Sequence, residues 1–124
     1  MAHILVVDDE PEIVKLVAKL MEARGHRVSI ARDGQECLDA VARERPDVLV
    51  VDLNLPKVDG FEVCKRLKGA EATKDLPIVM MTAAFPTIED ADRGITLGAD
   101  EYVVKPFLRE VLVHNVERLI PKSG

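Results

Sequence analysis

The stretch that most limits the possible folds is Val48-Leu49-Val50-Val51, four apolar and mostly β-branched residues in an unbroken run that ends in Asp52. Such a run lacks the polar alternation of a strand with one wet face. It reads as a strand covered on both faces, the pattern of a central strand in a parallel sheet. Asp52 stands where that strand should stop, and residues 56 to 60 (Pro-Lys-Val-Asp-Gly) supply the turn that leads onward. A carboxylate set against so apolar a run is costly unless it has a partner or a task. Two readings are open at this point: Asp52 is a reactive group, or it is an acid that merely ends a strand.

The same punctuation recurs along the chain. Residues 3 to 7 form a second short apolar run, closed by Asp8-Asp9. Glu10-Pro11-Glu12 then open a helix, with proline suited to the first turn and acids to the positive end of the helix dipole. Ile13, Leu16, Val17 and Leu20 follow helical spacing, and Gly25 is the expected left-handed cap. Residues 26 to 31 alternate as a half-exposed edge strand does, and Asp33-Gly34 turn the chain into a helix running to about Glu44, with Leu38 and Val41 inward. After Arg45-Pro46 and the central strand, a helix over residues 61 to 68 carries Phe61, Cys64 and Leu67 on one face. Residues 76 to 81 form a fourth strand ending at Thr82, where Pro77 is tolerated because the first residues of a strand need not donate to the ladder. Residues 87 to 97 read as the loosest helix, rich in β-branched residues and with Gly94 inside. Residues 101 to 104 are the last strand, running into Lys105-Pro106, and residues 108 to 120 a closing helix with Leu108, Leu112, Asn115 or Val116, and Leu119 as its core stripe.

Five strands alternating with five helices in one domain, residues 1 to 124, define an α/β fold with right-handed crossovers and a doubly wound, five-stranded parallel sheet. The expected strand order is 2-1-3-4-5, in which the winding reverses between strands 1 and 3, and ligands bind beyond the carboxyl ends of the strands at that reversal. Because all the strands are parallel, the ends carrying Asp8, Asp9, Asp52, Thr82 and Lys105 share one edge.

An apolar content of 48% is ample for one core. The net charge of -5 comes from interspersed acids and bases, with no basic stripe and no Trp, which argues against direct nucleic-acid binding. The chain shows no charged-then-apolar leader and no apolar run near the roughly 20 residues that span a bilayer. A soluble, cytoplasmic protein without membrane contact is therefore expected. Cys37 and Cys64 fall in predicted helices among apolar neighbours and read as small core residues, with neither a disulfide nor a metal pair expected.

Three carboxylates in one cleft repel each other unless a cation sits among them. Hard oxygen ligands with little else favour Mg²⁺. Helix-capping roles for Asp9 and Glu10 can coexist with metal binding. A carboxylate beside Mg²⁺ can attack a phosphoryl group to form an aspartyl phosphate, which then mostly requires positioning and neutralisation of the equatorial oxygens. Thr82 offers a hydroxyl and Lys105 a cation for that purpose. Each alone reads equally as a strand-ending threonine or a solvated lysine.

The chain resembles a response-regulator receiver domain of two-component signalling, of the chemotaxis-regulator kind, over essentially its whole length. The residues that carry the likeness are Ile4-Leu5-Val6-Val7-Asp8-Asp9-Glu10, Asp52-Leu53-Asn54-Leu55-Pro56 through Asp59-Gly60, Met81-Thr82-Ala83, Gly98-Ala99-Asp100-Glu101-Tyr102 and Lys105-Pro106-Phe107. The resemblance implies a flavodoxin-like (βα)5 fold and a phosphorylation switch. In it Asp52 accepts a phosphoryl group from a histidine kinase phosphohistidine or a phosphotransfer protein. Asp9, Asp52 and the Asn54 backbone carbonyl hold Mg²⁺, and Asp8 acts largely through metal-bound water. Thr82 and Lys105 contact the phosphoryl group, Ala83 stays small to leave it room, the Lys105-Pro106 peptide is cis, and the ring of Tyr102 couples to Thr82. The implied output face is built from the fourth helix, fifth strand and fifth helix, and includes Tyr102, Arg109, Val113 and Ile120, the last two off the core stripe. It would serve a downstream protein target or a tethered output domain, with phosphorylation-dependent homodimerisation as one form of output; a solvated boundary without a partner is the other reading. Water approaching the acyl phosphate would pass Asn54 and Ala84, and the small Ala84 leaves that path open.

On this reading the chain is no enzyme beyond catalysing its own phosphorylation and dephosphorylation. Three other functions compete. A phosphorylation-independent binding module would usually have lost Asp52, Thr82 or Lys105. An acyl-phosphate phosphohydrolase would want a second acid/base carboxylate and a substrate cap. A flavin mononucleotide binder would want a Ser/Thr/Gly-rich loop where Asp8-Asp9-Glu10 stand.

Overall fold

In the computed structural model, which describes residues 2–53, 55–82 and 99–121, each of the five apolar runs is a strand. They are β1 (His3–Val7), β2 (Arg27–Ala31), β3 (Val48–Asp52), β4 (Ile78–Thr82) and β5 (Glu101–Val104). The strands are parallel and lie in the order β2-β1-β3-β4-β5, with Leu5 opposite Leu49, Val51 opposite Met80 and Thr82 opposite Val104. Four helices accompany them among the described residues: α1 (Pro11–Glu22), α2 (Gly34–Arg43), α3 (Gly60–Lys68) and a C-terminal helix (Arg109–Leu119). The helix read over residues 87 to 97 lies outside the described residues, as do Asn54, Ala83 and Ala84.

Every residue of β1, β3 and β4 is buried, whereas β2 and β5 at the two edges are partly exposed. Alternate side chains of the sheet enter two separate cores, as the period-2 geometry of a strand requires. Leu5, Val7, Leu49, Val51, Ile78 and Met80 pack beneath α2 and α3 with Cys37, Val41, Phe61 and Cys64. Ile4, Val6, Val48, Val50, Val79 and Met81 pack on the opposite face with Val14, Val17 and Met21 of α1 and Leu112 and Val116 of the C-terminal helix. Both cysteines are buried, and burial pushes their thiols up, to about 12 for Cys37 and about 11 for Cys64. They are core residues. No described helix is long and apolar enough to cross a membrane.

Helix ends follow local chemistry. Asp33 and Asp59 cap α2 and α3 by accepting from the Glu36 and Glu62 N–H groups. After α1, Gly25 takes φ 88°, and the His26 and Gly25 N–H groups bond back to the Met21 and Glu22 carbonyls, the paired closure that a left-handed glycine permits.

Two helix faces differ from the periodicity reading. The residues of α1 that are fully inside are Val14, Val17, Ala18 and Met21, while Ile13 and Leu20 form the rim of the same core. Both sets share an apolar arc wider than one narrow stripe, so spacing alone does not say which half faces the sheet. Leu108 is 69% exposed because it occupies the extended N-cap position ahead of the C-terminal helix and so falls out of the helical register. Val113 and Ile120, expected off the core stripe, pack half-buried against the α1 side of the core.

The C-terminal helix is tied to the α1–β2 turn by Glu117, which accepts from Arg24 Nη2 at 2.7 Å and faces His26 Nε2 at 2.9 Å. His26 Nδ1 accepts the Ala2 N–H at 3.3 Å, so Nε2 is the protonated ring nitrogen and donates to Glu117. The Arg24 hydrogen bond, followed by that of His26, holds the Glu117 carboxyl down at about 2. A carboxyl whose folded pKa lies below its unfolded value of 4.5 stabilises the fold above that value, and the contribution is lost as pH falls toward 2. Urea denaturation should therefore show Glu117→Gln less stable than the unmodified protein at neutral pH, with the difference shrinking away between pH 4.5 and 2.

Candidate functional site

The carboxyl edge of the sheet gathers the polar residues that end its strands. Asp52 is the last residue of β3 and 3% exposed, Thr82 is the last of β4 and 6% exposed, and Asp8 follows β1 with no exposure at all. Lys105 follows β5, donates its backbone N–H to the Thr82 carbonyl, and is joined to Pro106 by a cis peptide. Its side chain runs into the cleft. Lys105 Nζ lies 2.7 Å from Asp8 Oδ2, 3.4 Å from Glu10 Oε1 and 3.7 Å from Asp52 Oδ1. Burial alone would lower the pKa of this ammonium, but the Asp8 hydrogen bond and the charges of Asp52, Asp8 and Glu10 outweigh it and the net shift is upward. Lys105 is therefore charged, and it is the cation that these acids share.

Asp8, Asp9 and Glu10 each offer a carboxylate oxygen within 4.8 Å of the others. Asp8 is fixed by accepting the Glu10 N–H at 3.0 Å, whereas Asp9 and Glu10 are exposed. The donor set is all oxygen, and among the described residues it carries, together with Asp52, four carboxylates against one lysine. That chemistry suits a hard divalent cation such as Mg²⁺. Asp52 joins the group through Lys105, while the Asn54 carbonyl lies outside the described residues.

Glu10 is the residue that sequence reasoning placed only as a helix-capping acid. It does occupy the N-cap position of α1, but its side chain makes no cap hydrogen bond and reaches Lys105 instead. Three successive acids at a strand end were the available signal. Tyr102 is half-buried on β5, opposite Met80, and packs against the core beneath α2 and α3.

A glycine shapes the wall beside Asp52. A Cβ on Gly60 would stand 2.5 Å from the Asp52 carbonyl oxygen and 2.8 Å from Leu53 Cα. Only a residue without a side chain lets α3 begin directly against the strand end, where the Gly60 N–H also bonds the Leu53 carbonyl.

The fold is thus doubly wound and flavodoxin-like, with an acid–lysine cleft at the carboxyl edge of its sheet. The chain matches the response regulator receiver domain over residues 4–117 and belongs to that family. It is 41% identical over 123 residues to the DNA-binding dual master transcriptional regulator RpaA of Synechocystis sp., covering 99% of this chain and 51% of that protein. It is 38% identical over 121 residues to the response regulator MprA of Mycobacterium tuberculosis, covering 98% of this chain and 51% of that protein. The chain thus spans about half the length of these curated relatives. Among solved structures it is similar to a putative response regulator from Chloroflexus aurantiacus, with TM-score 0.91, 33% identity and 98% of each chain covered. It is also similar to the chemotaxis response regulator CheY4 of Vibrio cholerae, with TM-score 0.89, 34% identity, and 96% of this chain and 98% of that one covered. Phosphorylation and Mg²⁺ binding at an acidic cluster are typical of the family.

The charge imbalance makes the two sides of the Lys105–Asp8 pair unequal. Lys105→Met leaves Asp8 and Asp52 buried without their shared cation and should cost about 3 kcal/mol. Asp8→Asn removes one of the surplus negative charges and should change stability little. Chemical denaturation in the presence of a chelator checks both, and equal losses for the two variants would contradict the shared-cation geometry.

Proposed function

We propose that the chain is a phosphorylation switch in which Asp52 takes a phosphoryl group from the phosphohistidine of a histidine kinase or phosphotransfer protein. The observation that carries this is the buried Asp52 carboxylate at the end of the central strand, 3.7 Å from the Lys105 Nζ that also contacts Asp8 and Glu10. An Asp52 oxygen attacks phosphorus as the phosphorus–nitrogen bond breaks; the donor ring, protonated on its other nitrogen, takes the bonding electrons and leaves as neutral imidazole, and Asp52 carries the acyl phosphate. Lys105 has only to exchange carboxylate for phosphoryl oxygen to neutralise the new charge, and Thr82 offers a hydroxyl from the neighbouring strand end. Asp8, Asp9, Asp52 and the Asn54 carbonyl would hold Mg²⁺, with Glu10 close by. Bound there, the ion supplies the positive charge that Lys105 alone does not.

The added charge at Asp52 would draw Thr82 inward and let Tyr102 reorient, shifting a pre-existing equilibrium of the face beside β5. The reader of that face is a tethered output domain or a separate protein. The length of the curated relatives supports a tethered output half, and the DNA-binding name of one of them suggests that nucleic-acid contact belongs to such a half rather than to this acidic module. Catalysis by this chain would be confined to its own phosphorylation and dephosphorylation.

Incubation with acetyl phosphate and Mg²⁺ should add one phosphate by intact-mass measurement, labile to hydroxylamine. Chelation of the metal or Asp52→Asn should abolish it, and undiminished labelling of Asp52→Asn would overturn the assignment.

A further inference from the structure

The loop that follows Asp52 is fastened to the start of α2, an element with no side chain in the acid–lysine group. Gly34, the first residue of α2, donates its N–H to the Pro56 carbonyl at 3.5 Å. It lies so tightly under the loop that a Cβ built on it would fall 1.8 Å from the Val58 carbonyl oxygen and 2.6 Å from the Val58 carbonyl carbon. Both of those atoms are backbone, so a larger residue could be accommodated only by moving the loop. Asp33, the buried N-cap of α2, uses both carboxylate oxygens. Oδ1 accepts the Glu36 N–H at 2.8 Å, and Oδ2 faces Lys57 Nζ at 3.6 Å.

Lys57 itself holds φ 68°, the left-handed region that lysine seldom occupies unless its surroundings impose it. Its neighbour Val58 packs against the core beneath α2 and α3. Residues 55 to 59 are thus gripped at their apex by α2, and at their exit by Gly60 against Asp52 and Leu53. The loop is the direct continuation of β3, so a displacement at its apex is transmitted to the backbone immediately after Asp52.

We propose that Asp33 and Gly34 are positioning residues for the chemistry at Asp52, the α2 N-terminus acting as a clamp that keeps the β3–α3 loop in its working conformation. The inference rests on the phosphoacceptor reading of Asp52. Neither residue touches the reacting atoms. The clamp acts through loop backbone, and a shift of about 1 Å in such backbone can cost on the order of a hundredfold in rate.

The test compares the unmodified chain with Gly34→Ala, Asp33→Ser and the buried α2 control Val41→Ala. Each is measured for urea midpoint, for Mg²⁺ affinity by calorimetry, and for the initial rate of labelling by acetyl phosphate. Gly34→Ala should weaken Mg²⁺ binding by about tenfold or more, as loss of supporting contacts around a metal site does, and should slow labelling at saturating Mg²⁺. Val41→Ala should lose stability while keeping Mg²⁺ affinity and labelling rate. Asp33→Ser retains a capping oxygen for Glu36 but not the partner of Lys57, and should shift both readouts in the same direction by less. Should Gly34→Ala not fold, Asp33→Ser decides the matter alone. If the clamp variants track Val41→Ala, with stability lost and Mg²⁺ affinity and labelling unchanged, the clamp is overturned. Failure of the unmodified chain to label at all would instead overturn the phosphoacceptor reading, and the clamp with it.

Discussion

One ammonium group among buried carboxylates is the interaction on which the site depends. Parallel strands deliver all their carboxyl ends to one edge, so polar residues that end β1, β3, β4 and β5 meet whether or not their charges are compatible. Here Asp8 and Asp52 are almost completely excluded from solvent, and Lys105 reaches both. A lone buried carboxylate would take up a proton or disrupt the fold. With Lys105 among them the acids keep a surplus of negative charge that a divalent cation can answer. Under the proposed switch, the same lysine would pass from these carboxylate oxygens to a phosphoryl oxygen.

The scaffold makes that arrangement rigid where it must be. Asp52 and Thr82 belong to strands that are buried along their entire length, with an apolar core on each face, so their positions are set by packing from both sides. The half-exposed edge strand β5 contributes Tyr102 and leads into Lys105, and it has more room to respond than the fully buried β3 and β4. Glycine at positions 34 and 60 lets two helices begin directly against the β3–α3 loop, which shapes the wall next to the phosphoacceptor candidate without placing side chains in it.

Much of this was legible in the sequence because it is locally encoded. Unbroken apolar runs identify β1, β3 and β4 as doubly covered strands, and their regular alternation with helical periods leads to the strand order. The convergence of Asp8, Asp52, Thr82 and Lys105 then follows from parallel topology, before any distance is known. The reach of Glu10 did not follow, because its partner Lys105 is 95 residues away and a capping role explained an acid at that place equally well. On α1, two overlapping sets of apolar residues satisfy the helical period, and the choice between them is made by the sheet beneath. Leu108 was misplaced for a related reason: a periodic pattern says nothing about where helical backbone begins. The clamp of α2 on the loop depends on backbone contact between Gly34 and Val58, which no pattern of side-chain types records.

Lys105 and a divalent cation held at this site would draw on the same carboxylate charge. Calorimetric titration of Mg²⁺ into the unmodified chain and into Lys105→Met tests it most directly. Removal of the competing ammonium should tighten Mg²⁺ binding, with the difference diminishing at high ionic strength as screening weakens the residual field. Unchanged or weaker binding in Lys105→Met would contradict the account.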